Sequence, residues 1–273
     1  MESKSVPLDR QASEQPFIVR HEPPLGWLVL NRVQVRNALN LETWRRIAEG
    51  VSELGANPEV RVIILRSSSP VSFISGADIS EFFQVRNDAA QARAYYETTV
   101  QTVNALLHSP RPIIAMIAGF CLGGGVEIAV ACDLRIADRS ARLGIPAARL
   151  GLAYPLSATV LLAGIVGPAN ARDLLISGRT VEADEALRLG LVNRVVAVGE
   201  LEAAVRDYAL RLARNAPLTV AAAKAAVLEA LKDRAQRDEK RIAEMVARCY
   251  ESEDYHEGVR AFLEKRPPNF TGR

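Results

Sequence analysis

Three consecutive glycines, Gly123 to Gly125, lie between a segment of strand character and a segment of helical character. The apolar run Ile113–Ile117 upstream predicts a buried strand. Because glycine has no Cβ, a ligand can approach the backbone closely at such a turn. A helix start also presents unpaired N–H groups and a partial positive charge. The stretch therefore predicts a turn that stabilises an oxyanion, around which the rest of the chain is organised.

A single carboxylate, Glu127, follows these glycines among apolar residues. Burial in apolar surroundings raises the pKa of a carboxyl group, which favours proton transfer near neutral pH. The sequence thus makes Glu127 a candidate acid or base. The alternative is a carboxylate that only stabilises the start of its helix.

A second glycine-bearing turn runs from Ile74 to Asp78, after the predicted strand Val60 to Leu65. If the two strands are neighbours, the backbone N–H groups of Ala77 and Gly124 converge on one oxygen. Such a donor pair stabilises an oxyanion. The alternative is that both turns are simple strand-to-helix connections.

Other glycine motifs do not fit the sequence. A dinucleotide fingerprint that starts at Gly123 requires glycine where Ile128 stands. A phosphate-binding loop that starts at Gly119 requires Gly-Lys-Ser/Thr where Gly124-Gly125-Val126 stands. A nucleophile elbow around Ser75 requires glycine where Phe73 stands.

Composition narrows the function further. The 273-residue chain has a net charge of +2, which argues against a dedicated nucleic-acid binder. The spacing of its three cysteines matches no zinc site, and we expect no metal and a reduced, cytoplasmic setting. The expected partners exclude nucleic acid and membrane, since no apolar run approaches a membrane span.

Strand and helix patterns alternate up to about residue 197, and only helical patterns follow. This order favours repeated strand–helix units over a β-sandwich. We therefore predict a mobile tail over residues 1–15, an α/β core with the active site over 16–197, and a C-terminal helical region over 198–273.

Three segments together resemble the enoyl-CoA hydratase/isomerase (crotonase) family. They are NRVQVRNALN from Asn31, SFISGADISEF from Ser72 and AGFCLGGGVEIAVACDLRIA from Ala118. The C-terminal EGVRAFLEKRPPNFTGR is similar to the end of that family, so the resemblance covers about residues 16–273. It implies a spiral of repeated ββα units with a C-terminal helical trimerisation region, and a homotrimer or a dimer of trimers.

The resemblance also implies an acyl-CoA substrate and no cofactor beyond that coenzyme A. By motif position, Ala77 and Gly124 donate their N–H groups to the thioester oxygen. The remaining positions that the resemblance assigns to substrate and coenzyme binding are Val35, Arg36, Ala38, Ser75, Asp78, Ile79, Phe262 and Lys265. Phe262 and Lys265 match positions that reach the coenzyme of a neighbouring subunit, although Lys265 also fits a solvated helix end.

The sequence departs from the family pattern at one catalytic position. Hydratases of the family use two glutamates; Glu127 matches the first, and Ala147 stands where the second is expected. Alanine cannot transfer a proton. Tyr154 follows in the same loop, at a place where family decarboxylases have a tyrosine, and it is either a proton donor or an aromatic wall of the acyl pocket.

The expected activity is the addition of water to a 2-enoyl-CoA through a stabilised enolate, with Glu127 as the proton-transfer residue. The alternatives are a double-bond isomerase, an acyl-CoA decarboxylase, or a catalytically weak acyl-CoA-binding protein. The aromatic stretch from Phe82-Phe83 to Tyr95-Tyr96 is a candidate lining of the acyl pocket.

Overall fold

The computed structural model describes residues 15–273, so the predicted tail lies almost wholly outside the described residues. The ten strands are β1 Phe17–Glu22, β2 Leu25–Leu30, β3 Val62–Ser67, β4 Ser72–Ile74, β5 Ile113–Ile117, β6 Phe120–Leu122, β7 Leu134–Asp138, β8 Arg142–Gly144, β9 Thr180–Glu182 and β10 Arg194–Val196. The ten α-helices are α1 Leu41–Ala56, α2 Phe82–Val85, α3 Ala89–His108, α4 Gly124–Ala131, α5 Leu156–Ser177, α6 Ala183–Arg188, α7 Leu201–Ala213, α8 Pro217–Ala230, α9 Glu239–Tyr250 and α10 Glu253–Leu263.

The strands form two sheets. The larger has the order β1-β2-β3-β5-β7-β10, in which only the β1–β2 pair is antiparallel. The smaller has the order β4-β6-β8-β9, in which β4, β6 and β8 are parallel and β9 is antiparallel to β8. Successive pairs of strands, β3–β4, β5–β6 and β7–β8, each place one strand in the larger sheet and the next in the smaller. A helical segment follows each pair, which confirms the predicted spiral of ββα units.

The hydrophobic core lies on both faces of the larger sheet. One cluster fills the space between the two sheets and includes Trp44, Ile63, Phe73 and Ile128, all fully or almost fully buried. A second cluster covers the opposite face, where Val205 of α7 joins residues such as Ile64 and Ile114. Residues that alternate along β3 thus point to different clusters, as the period of a strand requires. Helix α7 therefore packs on the sheet, although it lies beyond the predicted boundary at residue 197.

The apolar spacing from Leu41 to Leu54 predicts a helix with Asn40 as its cap, and α1 begins there. The Asn40 side chain accepts a hydrogen bond from the Thr43 N–H at 2.9 Å, which caps α1. The capped end places Trp44 on the buried face of α1, where it lines the cavity described below.

The sequence pattern predicts two short helices over residues 157–166 and 167–176, and α5 is indeed two helical segments that meet at Gly167. There the backbone has φ 78° and ψ 160°, outside the helical region, directly before Pro168. The length of α5 and a mean hydropathy of 1.3 would suit a membrane-crossing helix by length and composition alone. Leu162 and Leu174, one on each side of the kink, are buried in the core of the fold.

Candidate active site

The two glycine turns predicted from the sequence lie side by side. They follow β4 and β6, which are parallel neighbours with Ile74 opposite Cys121. A Cβ built on Gly123 would lie only 3.8 Å from the Cα of Gly76. The carboxyl ends of the two short strands thus bring the turns together. The sequence suggested that the longer strands β3 and β5 lead directly into the two turns. In the structure β4 follows β3 and β6 follows β5, so the short strands lead into the turns instead.

Close packing explains the glycines of the second turn. Gly123 has φ 51° and ψ −112°, a conformation that residues with a Cβ rarely adopt. A Cβ on Gly125 would lie 2.7 Å from the Ile74 carbonyl oxygen. Glycine here lets α4 begin directly against β4.

The backbone N–H groups of Ala77 and Gly124 have no hydrogen-bond partner within residues 15–273. The neighbouring groups are paired: the Asp78 N–H donates to the Leu39 carbonyl at 2.9 Å, and the Gly123 N–H donates to the Gly144 carbonyl at 2.9 Å. Ala77 and Gly124 both line one cavity of about 290 Å³. The structure therefore leaves free, at one cavity, the two donors that the sequence singled out.

Glu127 projects from the first turn of α4 into the same cavity and is 5% exposed. Its Oε1 is buried and has no hydrogen-bond partner within the described chain. Burial raises the pKa of this carboxyl to about 7, although the Arg86 guanidinium acts in the opposite direction. A carboxyl with that pKa holds or releases a proton with similar ease near neutral pH.

Tyr154 and Ala147 line the cavity beside Glu127. The Tyr154 hydroxyl donates to the Gly123 carbonyl at 3.5 Å. Burial and the nearby Glu127 carboxyl raise the pKa of Tyr154 well above its ordinary value, so the phenol stays protonated at neutral pH. None of the chain's three histidines lines this cavity.

The segment from Arg32 to Ala38 covers the outer side of the Ile74–Asp78 turn. The Ser75 N–H donates to the Arg36 carbonyl at 3.1 Å, and the Ser75 hydroxyl donates to the Val35 carbonyl at 3.4 Å. Val35 and Arg36 are exposed, and Ala38 is half-buried. The structure thus brings these four predicted binding residues together at the edge of the site.

A buried amide holds that segment in place. The Asn37 side chain donates to the Ser67 hydroxyl at 2.7 Å and to the Ser72 carbonyl at 3.1 Å. Asn37 and Arg36 both have positive φ, 56° and 53°. Asn37 was not predicted from the sequence as a functional residue, although asparagine is among the few residues that tolerate this conformation.

Asp78 is the last residue of the Ile74–Asp78 turn, and Ile79 follows it. The Asp78 carboxylate pairs with the Arg32 guanidinium at 2.9 Å and accepts from the Ser80 hydroxyl at 2.6 Å. Burial opposes ionisation of Asp78, but the hydrogen bonds from Ser80 and Arg32 hold its pKa below the ordinary value. Ile79 is 54% exposed and lines the cavity.

Phe262 and Lys265 lie apart from this cavity, at the end of α10 and just after it. Phe262 is 83% exposed and lines a separate apolar groove of about 740 Å³. Lys265 is exposed with φ 54°. The structure does not bring either residue to the site of its own chain.

The aromatic stretch is only partly in the cavity wall. Phe82, Tyr95 and Tyr96 line it, whereas Phe83 is 85% exposed and points elsewhere. Tyr95 is buried and Tyr96 is exposed at the cavity rim, whereas of the Phe82-Phe83 pair only Phe82 faces the cavity. Trp44 and Arg86 also line the cavity, and neither was predicted from the sequence to belong to the site.

Comparisons with known proteins agree with this geometry. The profile of the family described as Enoyl-CoA hydratase/isomerase matches residues 25–273. A crotonyl-CoA hydratase of Syntrophomonas wolfei is 36% identical, over 94% of this chain and 98% of that protein. A short-chain-enoyl-CoA hydratase of Clostridium acetobutylicum is 34% identical, over 91% of this chain and 95% of that protein.

The fold has a close match among solved structures. The crystal structure of an enoyl-CoA hydratase/carnithine racemase from Magnetospirillum magneticum superposes with a TM-score of 0.91 at 34% identity, over 96% of this chain and 97% of that chain. Family profile, relatives and fold lead to one conclusion: the chain belongs to the enoyl-CoA hydratase/isomerase (crotonase) family.

Proposed function

We propose that this protein adds water to a 2-enoyl-CoA thioester through an enolate. One observation carries the proposal: two unpaired backbone N–H groups and a buried carboxyl with a pKa near 7 line a single small cavity. The thioester oxygen binds the N–H groups of Ala77 and Gly124. These donors are strongest when charge accumulates on that oxygen, so they favour the enolate over the ground state.

Glu127 performs both proton transfers in this proposal. As a carboxylate it takes one proton from water while the water oxygen bonds to the β-carbon, and the electrons of the double bond move onto the thioester oxygen. The protonated Glu127 then gives that proton to the α-carbon, and the enolate returns to a thioester. One water molecule thus supplies both groups that are added, and Glu127 ends as it began.

This single-residue route is supported by the residue at the other family position. Ala147 lines the cavity and has no group that can transfer a proton. Tyr154 does not replace a base, because its phenol stays protonated at neutral pH. Its role in the proposal is to orient the water or the acyl chain beside Glu127.

The alanine at position 147 and the protonated phenol of Tyr154 also favour a second candidate function. A double-bond isomerase or an acyl-CoA decarboxylase needs only one acid/base group, and Ala147 leaves only one family glutamate in place. In this alternative Glu127 moves a proton between carbon positions, or protonates the enolate left after loss of carbon dioxide. Tyr154 then serves as a neutral donor beside that enolate.

Crotonyl-CoA in deuterated water distinguishes these functions. Hydration predicts loss of the conjugated thioester absorbance together with one deuterium at the α-carbon of the product. Exchange into a saturated acyl-CoA without any hydration of crotonyl-CoA would support the isomerase or decarboxylase and overturn the hydratase. Tight binding with neither signal would leave an acyl-CoA-binding protein.

We also propose that the apolar groove on the C-terminal helices is a subunit interface of a homotrimer or a dimer of trimers. The groove is lined by apolar side chains that include Val246, Tyr250, Val259, Phe262, Leu263 and Phe270. Large exposed apolar patches mark interaction sites. In the assembly, Phe262 and Lys265 would then meet a neighbour's coenzyme A.

The free cysteines suit the expected cytoplasmic setting.

A further inference from the structure

The cavity that holds Glu127 contains one cation. Among the described residues that line it, Arg86 is the only lysine or arginine, and Glu127 is the only carboxylate. Arg86 ends the short helix α2, where its N–H donates to the Phe82 carbonyl at 2.8 Å. Nothing in the proposed hydration uses a positive charge at this position.

Two aromatic rings hold the Arg86 guanidinium in place. Its Cζ lies 4.6 Å from the centre of the Phe82 ring and 4.8 Å from the centre of the Tyr95 ring. Arginine over an aromatic face gains a cation–π attraction. The Tyr95 hydroxyl is fixed in turn, because it accepts from the Trp44 indole N–H at 3.0 Å. The two rings therefore hold the guanidinium in position, although its N–H groups donate to none of the described residues.

Those donors are free for a ligand. Within residues 15–273 the Arg86 side chain makes no hydrogen bond and no ion pair. By contrast, Arg32 at the edge of the same site is paired with Asp78 at 2.9 Å. The groups that face Arg86 are the Glu127 carboxyl and the Tyr95 phenol. Neither lies within ion-pairing or hydrogen-bonding distance of it.

A continuous wall leads from the oxyanion turn to this cation. A Cβ on Gly124 would lie 3.1 Å from the Trp44 indole, the indole contacts Tyr95, and Tyr95 contacts Arg86. A thioester whose oxygen is bound by the Gly124 N–H would have its acyl chain along this wall. The cavity, at about 290 Å³, lies at the small end of ligand pockets, which span about 300–1,000 Å³, and it suits a short chain.

We propose that Arg86 binds a carboxylate at the far end of the acyl chain, so that the preferred substrate is a short-chain acyl-CoA carrying a terminal carboxylate. The planar guanidinium presents parallel N–H donors that match a carboxylate, which gives both strength and direction. The proposal rests on the proposed function, since it takes the thioester at Ala77 and Gly124 as given. It adds the chemical class of the acyl chain.

The test is a binding measurement that requires no turnover. Calorimetric titration compares succinyl-, glutaryl- and adipyl-CoA with neutral isosteres in which an isopropyl group replaces the carboxylate: 4-methylpentanoyl-, 5-methylhexanoyl- and 6-methylheptanoyl-CoA. We expect at least one of the three carboxylate ligands to bind about 10- to 100-fold more tightly than its isostere. No preference at any of the three lengths would overturn the proposal.

Two variants locate the effect. Arg86→Met keeps the length of the side chain but removes its charge, and it should reduce the carboxylate preference to about one. Arg93→Met is the matched control, because Arg93 lies on α3 with an 81% exposed side chain and does not line the cavity. It should keep the full preference. A preference that survives Arg86→Met, or an equal loss for both ligands of a pair, would overturn the carboxylate site.

Hydration of crotonyl-CoA by the unaltered protein separates the two proposals. Hydration without any carboxylate preference overturns the Arg86 site and leaves the hydratase. If the protein prefers carboxylate ligands through Arg86 but does not hydrate crotonyl-CoA, the Arg86 site is supported and the hydratase proposal is overturned.

Discussion

The two ends of the cavity are built from different parts of the chain. One end, the proposed oxyanion site, presents the backbone N–H groups of Ala77 and Gly124, next to glycines that let two short strands come together. The far end uses side chains, with Arg86 held between Phe82 and Tyr95. A backbone site tolerates almost no change at its glycines, whereas a side-chain site can be altered one group at a time. Under the two proposals, the chemistry takes place at the rigid end, which is built from backbone, and the adaptable end, which is built from side chains, sets the specificity.

The largest expected effect comes from Glu127, the only carboxylate that the described part of the chain places in the cavity wall. Glu127→Gln keeps the shape but removes the proton-transfer group, and we expect kcat to fall by about 10²- to 10⁴-fold. Because the backbone donors remain, KM should change little. Steady-state kinetics with crotonyl-CoA tests this, and unchanged kcat would remove Glu127 from the mechanism. In the unaltered protein, kcat/KM should rise with pH through about 7, since the base form starts the reaction.

The next effect tests the backbone end alone. In Gly124→Val the new side chain would press on Trp44 and Leu39, because even a Cβ would lie 3.1 Å and 3.2 Å from them. Displacement of the N–H donor should lower kcat by about 10²- to 10³-fold. Gly164→Val on the exposed side of α5 is the control, since a Cβ there meets nothing within 4 Å. Similar kinetics for both variants, with both folded by circular dichroism, would contradict the oxyanion role.

A third effect is on stability and follows from the sign of the Glu127 pKa shift. Folding raises this pKa from 4.5 to about 7, so the folded protein disfavours the carboxylate and loses stability as pH rises between those values. Glu127→Gln has no such loss. Its free energy of unfolding relative to the unaltered protein should therefore increase by about 3 kcal/mol from pH 4 to pH 8. Denaturant unfolding at several pH values measures this, and a constant difference would contradict the shift.

The smallest effect is expected at the side-chain end. Tyr95→Phe removes the hydroxyl that accepts from the Trp44 indole and leaves that buried donor unpaired. We expect a loss of about 1–3 kcal/mol in the free energy of unfolding. Since the aromatic ring under Arg86 remains, kcat should change much less than in Gly124→Val. A kcat loss as large as that of the glycine variant would mean that the two ends are not separable.

The sequence predicted the rigid end far better than the adaptable one. Three glycines in a row indicate close backbone approach. The residues alone left open that both turns are simple strand-to-helix connections, and the family resemblance singled out the N–H groups of Ala77 and Gly124. Strands β4 and β6 bring the turns together. They have only three residues each, too few to show the alternation of apolar and polar residues that identifies a strand. Arg86 follows Gln84 and Val85 in a polar stretch without periodicity. Its position between two rings arises only when α2 and α3 pack together.

Helix α5 and Phe83 differ in this respect. The two helices predicted over residues 157–166 and 167–176 meet at Gly167, where the backbone leaves the helical conformation, so this break is visible in the sequence. Phe82 and Phe83 are adjacent and have the same side chain, so the sequence does not distinguish them. The helical rotation between them turns Phe83 to the exterior. Sequence patterns locate such elements, and only packing decides which face is used.

The central claim is that Ala77 and Gly124 stabilise an enolate whose proton moves through Glu127. Exchange of the α-hydrogens of butyryl-CoA in deuterated water, followed by proton NMR, tests it without requiring hydration. The account predicts exchange with the unaltered protein and a loss of about 10²-fold or more with Glu127→Gln. No exchange with the unaltered protein, or equal exchange with the variant, would contradict it.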